Sequence, residues 1–114
     1  MKVVAGAILV GASLAPQAWA QCDQPAVPTV PDGATSTLDE MLEAQTAVRA
    51  YMAEMESFLE CVGDEIDSAP ADTPEEMRAV MVQRYDTAFD EMEAVAASFN
   101  AERIAYTEAN ADED

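Results

Sequence analysis

From Leu38 to Ile66 the apolar residues keep a helical beat. Leu38, Met41, Val48, Met52, Met55, Leu59, Val62 and Ile66 follow one another at alternating steps, with Gln45 in the one polar slot. A three-four alternation sustained in this way is the a/d seam of a long packed helix of the coiled-coil kind. A flanking stripe of Ala44, Ala47, Tyr51 and Phe58 widens the apolar face. Thr37 followed by Glu40 forms a capping box, and Asp39 and Glu40 suit the positive end of the helix dipole. The pattern predicts a first helix over 36–67. Gly63 offers an earlier stop, and Pro70 bars any continuation.

A second helical pattern fills 74–108. Thr73-Pro74-Glu75-Glu76 predicts a threonine cap, a proline in the first turn and a glutamate three positions after the cap. The apolar face reads Met77, Met81, Tyr85, Ala88, Met92, Val95, Phe99 and Tyr106, broadened by Val82, Phe89, Ala96 and Ile104. Residues 109–114 form an acidic tail expected to fray. The linker 68–73 is short, which makes the helices antiparallel neighbours. Alternating stretches of strand type are absent from the sequence. The expected fold is all-α: an antiparallel two-helix hairpin. Its core is thin and both helices are apolar over more than one seam, so self-association into a four-helix assembly is one expectation.

Ahead of the hairpin, 21–35 carries Pro25, Pro28 and Pro31 at a spacing of three and then the turn Pro31-Asp32-Gly33. This spacing suits polyproline II, whose rise of about 3.1 Å lets the stretch from Cys22 to Thr37 reach about 46 Å. The helix from Thr37 to Cys61 rises about 36 Å. The extended arm is therefore long enough to run back along the first helix and bring Cys22 to Cys61, the only two cysteines. A bond between them closes a loop of about 40 residues and stabilises the fold by about 4 kcal/mol in the chain-entropy picture. A domain of this size gains little margin from burial alone. PxxP spacing also suits a ligand of SH3-type domains, but a spacer lying on its own helix accounts for the same prolines.

Residues 1–20 read as a secretory signal peptide. Lys2 supplies the charge, Val3 to Leu14 an apolar stretch, Pro16 a break and Ala18-Trp19-Ala20 a small-x-small cleavage site. Gln21 ahead of Cys22 argues against a lipid anchor. Cleavage would remove the only tryptophan and the only lysine and leave Arg49, Arg78, Arg84 and Arg103 facing all 23 acids. The expected product is periplasmic or secreted, with no membrane anchor. An exported chain with two cysteines pairs them in an oxidising compartment.

The charge narrows function further. With a net charge of −18 and a pI near 4.1 the chain repels nucleic-acid backbones and anionic lipid. There is no histidine, so triads, cysteine–histidine dyads and imidazole zinc sites are excluded. Met41, Met52, Met55, Met77, Met81 and Met92 invite a Cu(I) reading, since thioethers suit that ion. They also fall on the predicted seams, where methionine fills gaps in a core. Asp64, Glu65, Asp67, Asp72, Glu75 and Glu76 are dense enough to invite Ca²⁺, yet they lack the order of an EF-hand loop. A solvated acidic face explains them. Like charges at i,i+4, as in Glu56/Glu60, Glu60/Asp64 and Asp86/Asp90, weaken the helices by a few tenths of a kcal/mol each.

The string Cys22-x-x-Pro25-x-x-Pro28-x-Val30-Pro31-Asp32-Gly33, then Met41, Ala44-Gln45, Val48, Tyr51 and Phe58-Leu59-x-Cys61, resembles a group of small exported proteins of proteobacteria. That resemblance implies an extracytoplasmic compartment and a disulfide, and no activity. A looser similarity links Leu42-Glu43-Ala44-Gln45 to periplasmic helical chaperones with an LTxxQ motif, from which it departs at the second position. The expected function is a non-enzymatic interaction or structural role, with no cofactor and no metal ligands assigned. Tyr51, Phe58, Tyr85 and Phe89 are the candidate anchors for a protein partner, with a role in the core as the competing assignment. The alternatives are a metal-handling protein, on methionine or carboxylate, and a chaperone-like helical protein.

Overall fold

A computed structural model of the chain describes residues 22–112. The expected signal peptide and the end of the acidic tail lie outside the described residues. Two helices account for the regular structure: α1, Leu38–Asp67, and α2, Glu75–Ala109. They pack against each other, and no strand occurs among the described residues.

The start of α1 follows the local chemistry of its cap. The Glu40 amide donates to Thr37 Oγ1 at 3.1 Å, and the Thr37 amide donates to Glu40 Oε1 at 2.8 Å. Each side chain thereby satisfies a backbone donor that the first turn leaves free. Gly63 does not end the helix. The chain continues to Asp67 and stops where Ser68 folds back, its amide and hydroxyl both donating to the Asp64 carbonyl at 2.9 and 2.7 Å. Pro70 then prevents resumption.

The start of α2 corrects the expected threonine cap. Pro74 is itself the cap residue, and no side chain caps this end. Thr73 is held in the preceding turn, its amide donating to the Pro70 carbonyl at 3.0 Å. The Pro74 carbonyl accepts from the Met77 and Arg78 amides at 3.0 and 3.1 Å. At the far end the helix runs one residue past the expected Glu108. Asn110 closes it by donating its amide and its Nδ2 to the Tyr106 carbonyl.

The core is built mainly from α1. Met41, Ala44, Val48, Tyr51, Met55, Phe58, Leu59 and Val62 are buried, with Met55 and Val62 wholly enclosed. From α2 only Ala88 and Val95 are buried to that degree. This corrects the broad buried face expected of α2: Met77 is 55% exposed, Ile104 53%, Val82 45% and Phe89 40%. The arm explains the asymmetry. It fills one groove of the hairpin and covers α1 from a second side, while the opposite flank of α2 faces solvent.

The arm lies as the proline spacing predicts. Cys22 is buried, and Pro25, Pro28 and Pro31 are half-buried, whereas Asp23, Gln24, Ala26, Val27 and Thr29 are exposed. Every third residue from Cys22 to Pro31 thus turns inward, the period of polyproline II, and Val30 is half-buried as well. The arm starts at the Cys22–Cys61 disulfide, with the two Cα atoms 5.5 Å apart. It ends in a turn where the Asp32 carbonyl accepts from the Thr35 amide and the Ser36 hydroxyl, at 3.2 and 2.7 Å. Gly33 at this turn is buried against α2. A Cβ there would overlap the Glu102 carbonyl, so only glycine fits.

Candidate functional site

Three polar residues of α2 hold the arm, and none was evident from the sequence. Arg84 donates through Nη2 to the Cys22 carbonyl at 3.0 Å and through Nη1 to Glu65 Oε1 at 3.3 Å. Its guanidinium carbon sits 5.3 Å from the centre of the Phe58 ring. One side chain therefore ties α2 to α1, to the arm and to an aromatic face, which its planar fork suits. Further along, Glu91 accepts from Gln24 Nε2 at 2.7 Å, and Glu102 accepts from the Gly33 amide at 2.8 Å. Residues 84, 91 and 102 are seven and eleven apart, so they share one face of the helix. That spacing was the available signal.

The core beneath the arm holds Tyr51 and Phe58, two of the candidate anchors, each only 3% exposed. Among the described residues the Tyr51 hydroxyl has no hydrogen-bond partner. Burial, seconded by the charge of Glu91, raises its pKa above the ordinary tyrosine value. Tyr85 is half-buried and packs against the edge of the core that holds Tyr51 and Phe58, whereas Phe89 is exposed.

Tyr85 and Phe89 belong to the flank the arm leaves open. On α1 the arm lies beside Glu40, Ala44, Ala47, Glu54 and Phe58. The opposite side of α1 carries Leu38, Leu42, Arg49, Met52, Glu56, Gly63 and Ile66, spaced by three, four or seven residues. Leu38 is 55% and Leu42 49% exposed. On α2 the corresponding flank runs from Arg78 through Val82, Tyr85, Phe89, Met92 and Ala96 to Arg103 with the same steps. A Cβ on Gly63 would approach the Tyr85 ring at 3.9 Å, which sets the two flanks side by side. The result is an open two-helix face on the side away from the arm.

This face carries charges of both signs. Arg49, Arg78 and Arg103, three of the four arginines after residue 20, lie along it. Among the described residues the one ion pair is Arg84–Glu65, so these three form none. Arg78 donates to the Pro70 carbonyl and Arg103 to Asn100 Oδ1. The face thus combines exposed apolar side chains with these arginines and with acids, Glu56 on α1 and Glu75, Glu76 and Asp86 around Val82 on α2.

At the hairpin bend a cavity of about 660 Å³ opens between Ala69, Pro70, Met77, Val80 and Met81, with Arg84 and Glu65 at its edge. Of the methionines weighed for Cu(I), Met41 and Met55 are enclosed in the core, Met52, Met81 and Met92 are half-buried and Met77 is exposed. Cys22, Cys61 and Glu65 come within mutual ligating distance. Both sulfurs are consumed in the disulfide, and a bonded sulfur is no thiolate ligand.

Fold and surface together define a class: an all-helical hairpin with a disulfide-anchored extended arm and one uncovered apolar face. The disulfide fits an oxidising, extracellular location. No helix among the described residues is long and apolar enough to cross a membrane. The chain matches no protein-family model, no curated protein and no solved structure.

Proposed function

We propose that the chain is a non-enzymatic protein of the periplasm or the secreted fraction that binds a protein partner through the open hairpin face. The observation that carries this reading is the asymmetry of the two grooves. One is filled by the arm and pinned by Arg84, Glu91 and Glu102. The other leaves Leu38 and Leu42 near the start of α1, and Val82 and Phe89 in the first half of α2, between 40% and 55% exposed. Large apolar side chains left to solvent on one side of a hairpin are candidates for an interaction site. Phe89 and Tyr85 are the aromatic anchors of that face, while Tyr51 and Phe58 hold the core and the arm.

The test is photo-crosslinking in the exported, oxidised protein. A photoreactive residue at position 42 or 89 is expected to give discrete adducts. The same residue at position 54, exposed on the arm side, is expected to give none. Equal labelling at all three positions, or none at 42 and 89, would remove the proposal.

A further inference from the structure

We infer that the partner of the open face is a second copy of this chain, with α1 packed antiparallel against α1 of the other copy about a two-fold axis near Met52. This rests on the reading of the open face as a binding surface and adds the identity of what binds there. The first observation is charge. The α1 strip carries Arg49 and Glu56 seven residues apart, and Glu60 and Asp67 stand on the same side of the helix. Seven residues of helix rise about 10.5 Å, so the two do not pair within one chain. An antiparallel two-fold places Arg49 of each copy opposite Glu56 of the other, twice over, because contacts across a two-fold are reciprocal.

The second observation is Gly63. The helix continues through it, at the usual cost of glycine in a helix interior. Within the chain nothing demands glycine there, since an added Cβ would meet only the Tyr85 ring at an ordinary 3.9 Å. The same two-fold that pairs Arg49 with Glu56 sets Leu42 opposite Gly63. The half-exposed Leu42 of one copy then enters the space that Gly63 of the other leaves open, the close approach that glycine permits.

The third observation is size. The strip follows α1, 30 residues or ~45 Å, and is two helices or ~20 Å wide. Two such faces would bury on the order of 1,800 Å², the range of stable specific interfaces.

The experiment is sedimentation equilibrium of the full gene product, exported and oxidised, from 1 to 100 μM at 0.15 M NaCl. The expected result is a dimer. Arg49→Glu and Glu56→Arg are each expected to weaken it at least tenfold, and the double exchange to restore it to within about threefold. Gly63→Ala is expected to weaken the dimer while the monomer melts no lower. A monomer throughout the range, or a dimer that the double exchange fails to rescue, overturns the inference. Crosslinks from positions 42 and 89 to a protein other than this chain, with the chain itself monomeric, would overturn the second copy as partner and leave the binding face standing. Absence of crosslinks at both positions would remove the binding face itself.

Discussion

Removing the disulfide tests the architecture most directly. The perturbation is Cys22→Ala with Cys61→Ala, which keeps the backbone carbonyl of residue 22 available to Arg84. The bond spans a sequence separation of 39. Loop-closure entropy for about 40 residues corresponds to about 4 kcal/mol near room temperature. A chain with about 90 structured residues has a total stability of about 5–14 kcal/mol, so the loss takes a large share. With an unfolding entropy of about 2.1 cal/mol/K per residue, the melting temperature should fall by roughly 20 °C.

Calorimetry of the oxidised protein and the double variant measures the shift. Hydrogen exchange at the Gly33 amide, which donates to Glu102 in the folded state, reports whether the arm stays seated at its far end. The expected outcome is a lower melting temperature together with faster exchange at Gly33. A shift below about 5 °C with Gly33 still protected would refute the reasoning. It would mean that the bonds from Arg84, Glu91 and Glu102 seat the arm without the covalent closure.

Four further outcomes follow from particular contacts. Arg84→Ala should cost about 2–3 kcal/mol, since it removes a charge-assisted bond to the Cys22 carbonyl, a half-exposed ion pair and the contact with Phe58. Arg84→Lys should recover less than half of that by chemical denaturation, because an ammonium cannot reproduce the fork. Gly33→Ala should destabilise by about 2–4 kcal/mol through overlap with Glu102 and loss of the amide bond, read as a lower denaturation midpoint. Tyr51→Phe should stabilise by about 1 kcal/mol, since it removes a buried hydroxyl without a partner. The raised Tyr51 pKa contributes stability that is complete below the ordinary value of 10.0 and lost as pH rises through the folded-state value. The wild type should thus weaken above pH 10 more than Tyr51→Phe, and titration at 295 nm should show one of three tyrosines ionising late. Between 0.05 and 1 M NaCl the melting temperature should rise, because salt screens the repulsion among the acids; a flat or falling curve would contradict that account.

Much of the fold is legible in the sequence because it is encoded by short spacings. The 3-4 repeat from Leu38 to Ile66, the Thr37–Glu40 box and Pro70 set α1 almost to the residue. The three prolines and two cysteines set the arm and its anchor. Other features depend on long-range geometry. Arg84, Glu91 and Glu102 hold an arm that lies more than sixty positions earlier in the chain, and no local pattern links them to it. The apolar positions of α2 suggest a broad buried face, yet burial depends on what lies opposite. With one groove filled, only Ala88 and Val95 are enclosed. Tyr51 and Phe58 look the same in sequence as Tyr85 and Phe89. Tyr85 packs against the edge of the core that Tyr51 and Phe58 fill, and only Phe89 is left to solvent.

The two glycines after residue 20 sharpen that contrast. Gly33 is explained within the chain: its amide meets Glu102, and any side chain would overlap the α2 backbone. Gly63 has no such reason, since it interrupts neither the helix nor the packing and tolerates a Cβ. A residue that weakens its own helix by about 1 kcal/mol relative to alanine, near the C-terminal end of the α1 face the arm does not cover, is accounted for by something approaching from outside. Arg49 and Glu56 on the same strip say what that something carries: an anion opposite Arg49, and a cation opposite Glu56. A second copy turned end for end supplies both, and it brings Leu42 to the gap at Gly63 without any further adjustment of register.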